Sequence, residues 1–113
     1  DGDTKAALIT GVVIARNDFI EAHPDAVETF LQQYEASVNY VNDNVADAAV
    51  LVGNYDIVAA QVAEKAIPEC NITFIAGNDM KAKLGSYLGI LFEQNPAAVG
   101  GALPNDDFYY NAD

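Results

Sequence analysis

Residues 10–31 constrain the fold more than any other part of the chain, because their pattern changes from that of a strand to that of a helix. The β-branched run at 12–14 ends at the polar pair Asn17-Asp18, and such a bounded run predicts a strand. Pro24 then opens a helical pattern, since proline suits the first helical position, where its missing N–H is not needed. A nearly continuous apolar strand is typical of sheets that helices cover on both faces, so we predict an α/β fold.

The remaining patterns predict two strands and four helices in all. The strands are expected at residues 5–15 and 71–76, and the helices at residues 24–42, 44–52, 56–66 and 78–94. Asn44 is expected to cap the second helix, and Gly53-Asn54 to end it. In the third helix, Ile57, Val58, Val62 and Ala66 are expected to point inward. In the fourth, Gly85 and Gly89 predict the close approach of another helix.

Composition and charge limit the classes of function. The chain has 113 residues, of which 51% are hydrophobic, so it has the length of one domain and enough apolar side chains for a core. Its formal net charge of −12 opposes binding to nucleic acid or to an anionic membrane surface. We therefore predict no nucleic-acid partner, and we interpret most of the acidic residues as a solvated surface.

Few residues are suited to catalysis or to metal binding. Cys70 is the only cysteine and is expected to be a small buried hydrophobic side chain, while the only histidine, His23, is expected in a surface turn. Asp106-Asp107 lacks the spacing of a calcium loop, so a solvated turn is the preferred interpretation. We predict no catalytic residue, no metal site and no cofactor.

Two further features keep alternative interpretations. Arg16 follows the first predicted strand in a chain with few cations, so it is either a bidentate clamp for a carboxylate or sulfonate, or an ion-pair partner of Asp18 or Glu21. Tyrosines such as Tyr34 and Tyr87 line a ligand pocket or, as we prefer, pack in the core. For Arg16, too, we prefer the structural alternative.

The order of these motifs resembles a known family. The strand, Arg16, Pro24 and the helical motif Val27-x-x-Phe30-Leu31 are followed near the C-terminus by the motifs at 93–96 and 100–110. Together they resemble the segment in which bacterial solute-binding proteins of ABC importers return from their second lobe. The nearest group, of the type II periplasmic binding protein kind, binds nitrate, sulfonates or thiamine-pyrimidine precursors. The resemblance extends over almost the entire chain.

This resemblance implies a location, a fold and a site. Such proteins are extracytoplasmic, often lipoproteins, and have two α/β lobes that close on a small molecule and deliver it to a membrane permease. Residues 1–113 would form a single domain or a fragment, the C-terminal portion of the receptor, supplying mainly scaffold and hinge. The export signal would lie in a preceding segment. The residues nominated for ligand contact are Thr10 and Gly11, with Arg16 as the charged candidate.

Two competing functions stay open. The first is an autonomous helical protein-interaction domain, indicated by the amphipathic helices in a chain of domain size. The second is an enzyme like those of pyrimidine synthesis that share the fold, for which His23 and Cys70 are the only candidates; we predict that the chain is not an enzyme. As an isolated fragment the chain is expected to form a homo-oligomer that covers its apolar helix faces.

One short motif supports none of the functions considered so far. Asn71-Ile72-Thr73 matches the acceptor motif for N-linked glycosylation. The resemblance to a bacterial family makes this match accidental, and at this stage the motif predicts no function.

Overall fold

A computed structural model describes residues 8–111 of the chain, and every regular element in that part is a helix. The prediction of an α/β fold with two strands, in the form of a periplasmic-binding-protein lobe, is therefore wrong. The five α-helices are α1 Asn17–Ala22, α2 Pro24–Asp43, α3 Val45–Asn54, α4 Ala60–Ala66 and α5 Gly77–Gln94. Three short 3-10 helices span Ile67–Glu69, Pro96–Val99 and Asp106–Phe108.

The two predicted strands are irregular segments wherever the structure describes them. Residues 8–16 and 72–76 form no ladder, and the first predicted strand also included residues 5–7, which lie outside the described residues. Burial on both faces is wrong as well, because Val12, Val13 and Ile14 are exposed. β-branched residues favour an extended backbone, but a strand also needs a neighbour for its N–H and C=O groups, and composition cannot supply that neighbour.

Two helices agree closely with prediction. Helix α2 begins at Pro24, as predicted, and helix α5 ends at Gln94, directly before the predicted stop at Asn95-Pro96. Helix α1 was not predicted, because Asn17 and Asp18 were interpreted as a turn. Both residues occur often at helix starts, so they signal a helix start as well as a turn.

The end of α3 differs from the prediction. Gly53 and Asn54 are the last two residues of the helix, and Tyr55 is its C-cap. Asp56 follows in the left-handed region with φ 59°, and its N–H donates to the Gly53 carbonyl while the Ile57 N–H donates to Val52. This pair of hydrogen bonds is a Schellman motif with aspartate in the position that glycine usually occupies.

Changing Asp56 to glycine is expected to stabilise the chain. Glycine adopts a positive φ without the contact between Cβ and backbone that costs an L-residue about 1 kcal/mol, so D56G should unfold at higher urea concentration. D56A should unfold at lower concentration than the parent, because alanine tolerates this region less well than aspartate. An order of stability other than Gly, Asp, Ala in urea titrations followed by circular dichroism would contradict the motif.

Residues 15–74 form one compact unit, which we call the helical unit. Its core is a cluster of three alanines and one isoleucine, where α3 packs against α4 and the following 3-10 helix: Ala48, Ala49, Ala63 and Ile67. All four residues that were predicted to point inward are exposed: Ile57, Val58, Val62 and Ala66. The reason is that α4 begins only at Ala60, so that Ala63 and not Val62 faces α3.

Residues 8–14 and 75–111 belong to a second compact unit, which we call the split unit. The apolar stripe of α5 is half-buried, and the hydroxyl of Tyr109 lies 3.8 Å from where a Cβ on Gly85 would be. An aromatic side chain of the C-terminal segment, and not the helix that was predicted, therefore lies beside Gly85. Two further contacts tie that segment to α5: Lys81 pairs with Asp106 at 3.0 Å, and the Asn111 side-chain amide donates to Asn78 at 2.7 Å.

Gly89→Ala is expected to stabilise α5. A Cβ at this position meets no atom within 4 Å, so the full helix-propensity gain of about 1 kcal/mol is retained. Gly53→Ala is the matched control: its Cβ would lie 3.2 Å from the Cβ and N of Ala60, which offsets the gain. The measurement is the urea midpoint of both variants, and an equal increase in the two would contradict the tight approach of α3 and α4.

Candidate functional site

Two of the residues nominated for ligand contact, Thr10 and Gly11, line a groove in the split unit. The groove has a volume of about 210 Å³, and its other lining residues are Ile9, Val12, Leu84, Tyr87 and Leu88. Its lining residues are mainly apolar, and Thr10 and Tyr87 are the two among them whose side chains carry a hydroxyl. We call it the Thr10 groove.

Helical spacing explains how α5 forms its side of this groove. Leu84, Tyr87 and Leu88 stand at i, i+3 and i+4, so they lie on one face of the helix, against residues 9–12. No Cβ on Gly11 would meet any atom within 4 Å, so this part of the segment is open. An aromatic ring beside a hydroxyl and an open backbone can contact a small ligand with an apolar face and a polar edge.

Arg16, the third nominated residue, belongs to the helical unit. Its guanidinium pairs with the carboxylate of Asp18, and both side chains are exposed. This is one of the two ion pairs that the sequence offered as the alternative to a ligand clamp. An exposed pair of this kind stabilises a protein by at most about 1 kcal/mol, so it leaves the guanidinium able to exchange partners.

A second groove, which we call the tail groove, was not predicted. It has a volume of about 240 Å³ and is lined by Leu88, Ala98, Val99, Ala102, Pro104 and Phe108. Gly100 and Gly101 have φ of 82° and 90° and turn the backbone between the two parts of this wall. The signal in the sequence was this glycine pair, which allows a left-handed turn between two apolar segments.

The sole cysteine follows the 3-10 helix Ile67–Glu69, and the sole histidine separates α1 from α2. Cys70 is exposed, so the prediction that it is a small buried side chain is wrong. The reason is local: it follows the 3-10 helix Ile67–Glu69, where the buried position belongs to Ile67. The His23 ring lies between α1 and α2 with its centroid 4.8 Å from that of Phe19.

Residues 8–111 contain no group of three or more His, Cys, Asp or Glu side chains that could hold a metal ion. Asp106, which the sequence considered as a cation ligand, pairs with Lys81 instead. None of the helices in this part of the chain is both long enough and apolar enough to cross a membrane.

The tyrosines divide between the two alternatives that the sequence left open. Tyr87 lines the Thr10 groove. Tyr34 packs in the helical unit, stacked on Phe30 at 5.6 Å and edge-on to Phe74 at 5.8 Å between ring centroids. Tyr87 is half-buried on a helix face that lines a groove, so for this residue both alternatives stay open.

Comparison with known proteins adds no relative of this geometry. No protein-family model matches the chain, and no curated protein or solved structure matches it either. A function is therefore inferred from the grooves, from the exposed apolar surface and from the resemblance of the sequence motifs.

Proposed function

We propose that the chain is part of the extracytoplasmic solute-binding component of an ABC importer, and that it supplies mainly scaffold and hinge. The solute is a small molecule, and the receptor delivers it to the membrane permease. Thr10 and Gly11 contribute a limited contact to the solute, and the other contacts come from elsewhere in the receptor. No covalent chemistry is part of this function.

The proposal rests on the large amount of apolar surface that is exposed to solvent in the described residues. Among the described residues the buried side chains are Val38, Ala48, Ala49, Ala63 and Ile67, none of them larger than isoleucine. Exposed apolar side chains are more numerous and larger, and they include Phe19, Phe30, Leu51 and Phe108. Extensive apolar surface of this kind marks interaction sites, as expected of a scaffold that packs against the rest of a larger receptor.

The size of the Thr10 groove supports a partial role in binding. Pockets that enclose a small molecule have volumes of about 300–1,000 Å³. At about 210 Å³ and open to solvent, this groove is smaller than such a pocket. A limited contact by Thr10 and Gly11, completed by other parts of a receptor, fits this size better than complete enclosure.

The test measures binding by the protein encoded in the complete reading frame. Calorimetric titration with nitrate, an alkanesulfonate and an aminopyrimidine should give saturable binding for one of the three. G11L adds a bulky side chain to a lining position of the groove and should weaken that binding at least about tenfold, which corresponds to 1.4 kcal/mol. A15L adds the same side chain at an exposed position outside the groove and should bind as the parent does. Equal affinities for the two variants, or no binding of any of the three solutes, would contradict the proposal.

The alternative is an autonomous helical protein-interaction domain, and one observation favours it. The connection between α3 and α4 exposes Tyr55, Ile57 and Val58 together. Light scattering coupled to size exclusion on this chain alone separates the two proposals. An oligomer would support the scaffold, whose apolar faces need a cover, whereas a monomer that unfolds cooperatively and binds no solute would support the interaction domain.

A further inference from the structure

We propose that Asn71 is an acceptor for an N-linked glycan. Asn71 is followed by Ile72 and Thr73, and no other asparagine in the sequence has serine or threonine at the second following position. This motif is meaningful only where it lies on an exposed loop, which the sequence could not establish. The structure supplies that context.

The motif lies in a surface turn of the helical unit. Asn71 lies in the turn, residues 70–71, that directly follows the 3-10 helix Ile67–Glu69, and it has a φ of 53°. Asn71 and Thr73 are exposed, whereas Ile72 between them is half-buried and packs against the core of α3 and α4. The acceptor amide and the hydroxyl are thus both open to a second protein, while the intervening side chain anchors the turn.

Two hydrogen bonds fix this arrangement. The side-chain amide of Asn42 donates to the Ile72 carbonyl at 2.9 Å, and the Thr73 hydroxyl donates to the Asn71 carbonyl at 3.1 Å. The second bond places the hydroxyl beside the acceptor residue without using the Asn71 side chain. The backbone of the acceptor residue is therefore fixed, while the Thr73 hydroxyl leaves the Asn71 side-chain amide available for transfer.

The proposed reaction is a transfer from a lipid-pyrophosphate-linked oligosaccharide, catalysed by an oligosaccharyltransferase. The Asn71 amide nitrogen attacks the anomeric carbon, an N–C bond forms, and the bond from that carbon to the pyrophosphate oxygen breaks. Lipid pyrophosphate leaves with the bonding electron pair, and the amide proton passes to a carboxylate of the transferase. No oxidant or reductant takes part.

The proposal rests on the proposed extracytoplasmic location, because lipid-linked glycans are displayed on that side of the membrane. It replaces the interpretation of the motif as an accidental match, because the structure places both Asn71 and Thr73 at the surface.

The test uses the purified, folded chain, an oligosaccharyltransferase and its lipid-linked oligosaccharide, with intact mass as the readout. The mass of one glycan should be added to the parent and to T73S, which keeps the hydroxyl. It should be lost in N71Q and in T73V. N39Q, a change at an exposed asparagine outside the motif, should leave the transfer unchanged.

A peptide of residues 67–75 serves as the unfolded comparison. Transfer to the peptide but not to the folded chain would overturn the proposal, because the turn would then be inaccessible. Transfer to neither, or a glycan that remains in N71Q, would overturn it as well. The assay contains no solute, so its failure leaves the solute-binding proposal standing, and a failure of solute binding leaves the acceptor result standing.

Discussion

Replacing Ala49 by aspartate is expected to unfold the helical unit. Ala49 is 1% exposed and lies in the cluster at the contact between α3 and α4. A carboxylate there would lose its hydration, and the cations of this unit, Arg16 and Lys65, are not part of the cluster. Burying such a group without a partner costs about 3 kcal/mol or more, which is a large part of the stability of a small unit.

Val50→Asp is the matched control for this substitution. Val50 is the next residue of α3 and is 52% exposed, so the same charge enters the same helix in contact with water. Both variants carry the same net charge, and only A49D should lose helical signal and its urea transition. Similar loss in both variants would assign the effect to total charge and would contradict the small core between α3 and α4.

Ile67→Ala is expected to have the second largest effect. Ile67 is 8% exposed and is the largest side chain of the core cluster. Its truncation removes apolar contacts and leaves a cavity, which lowers the free energy of unfolding by about 2–4 kcal/mol. The urea midpoint, followed by circular dichroism at 222 nm, measures this loss.

Ile57→Ala removes the same atoms from a position that is 68% exposed. Its effect should stay within about 0.5 kcal/mol, because few contacts are lost at the surface. The two substitutions therefore separate burial from residue type. The sequence predicted that Ile57 points inward. A large loss of stability in I57A with a small loss in I67A would support that prediction and contradict the burial seen in the structure.

The helices were predictable where a local signal fixes their ends. Proline at the first helical position fixed the start of α2 at Pro24, and Asn95-Pro96 fixed the end of α5. The end of α3 was not predictable from Gly53, because that glycine serves the close approach of Ala60, and Asp56 takes the left-handed position instead. A glycine near a helix end can thus either terminate the helix or permit close helix packing, and only the tertiary contact with Ala60 shows that Gly53 does the second.

The strands and part of the candidate site depended on non-local contacts. Residues 12–14 have the composition of a strand, but in the described part of the chain no neighbour pairs with them. Thr10 and Gly11 were nominated together, and they do share a groove, yet its opposite wall comes from Tyr87 and its neighbours on α5. These α5 residues follow Thr10 and Gly11 by more than seventy positions in the sequence. Hydrophobic periodicity predicts local elements, and it does not predict which distant elements contact each other.

The division of the chain into units has a consequence for the order of folding. The helical unit is one continuous segment, so its contacts can form as soon as residues 15–74 have been synthesised. Residues 9–12 meet Leu84 and Tyr87 only after the sixty residues between the two parts of the split unit have been synthesised. During translation residues 9–12 are therefore exposed until α5 has been synthesised. Early folding of the helical unit shortens the loop between residues 9–12 and α5, which lowers the entropy cost of closing it. A ribosome-bound chain that ends before α5 should expose residues 9–12 to chaperones and proteases, and extension through Leu88 should protect them.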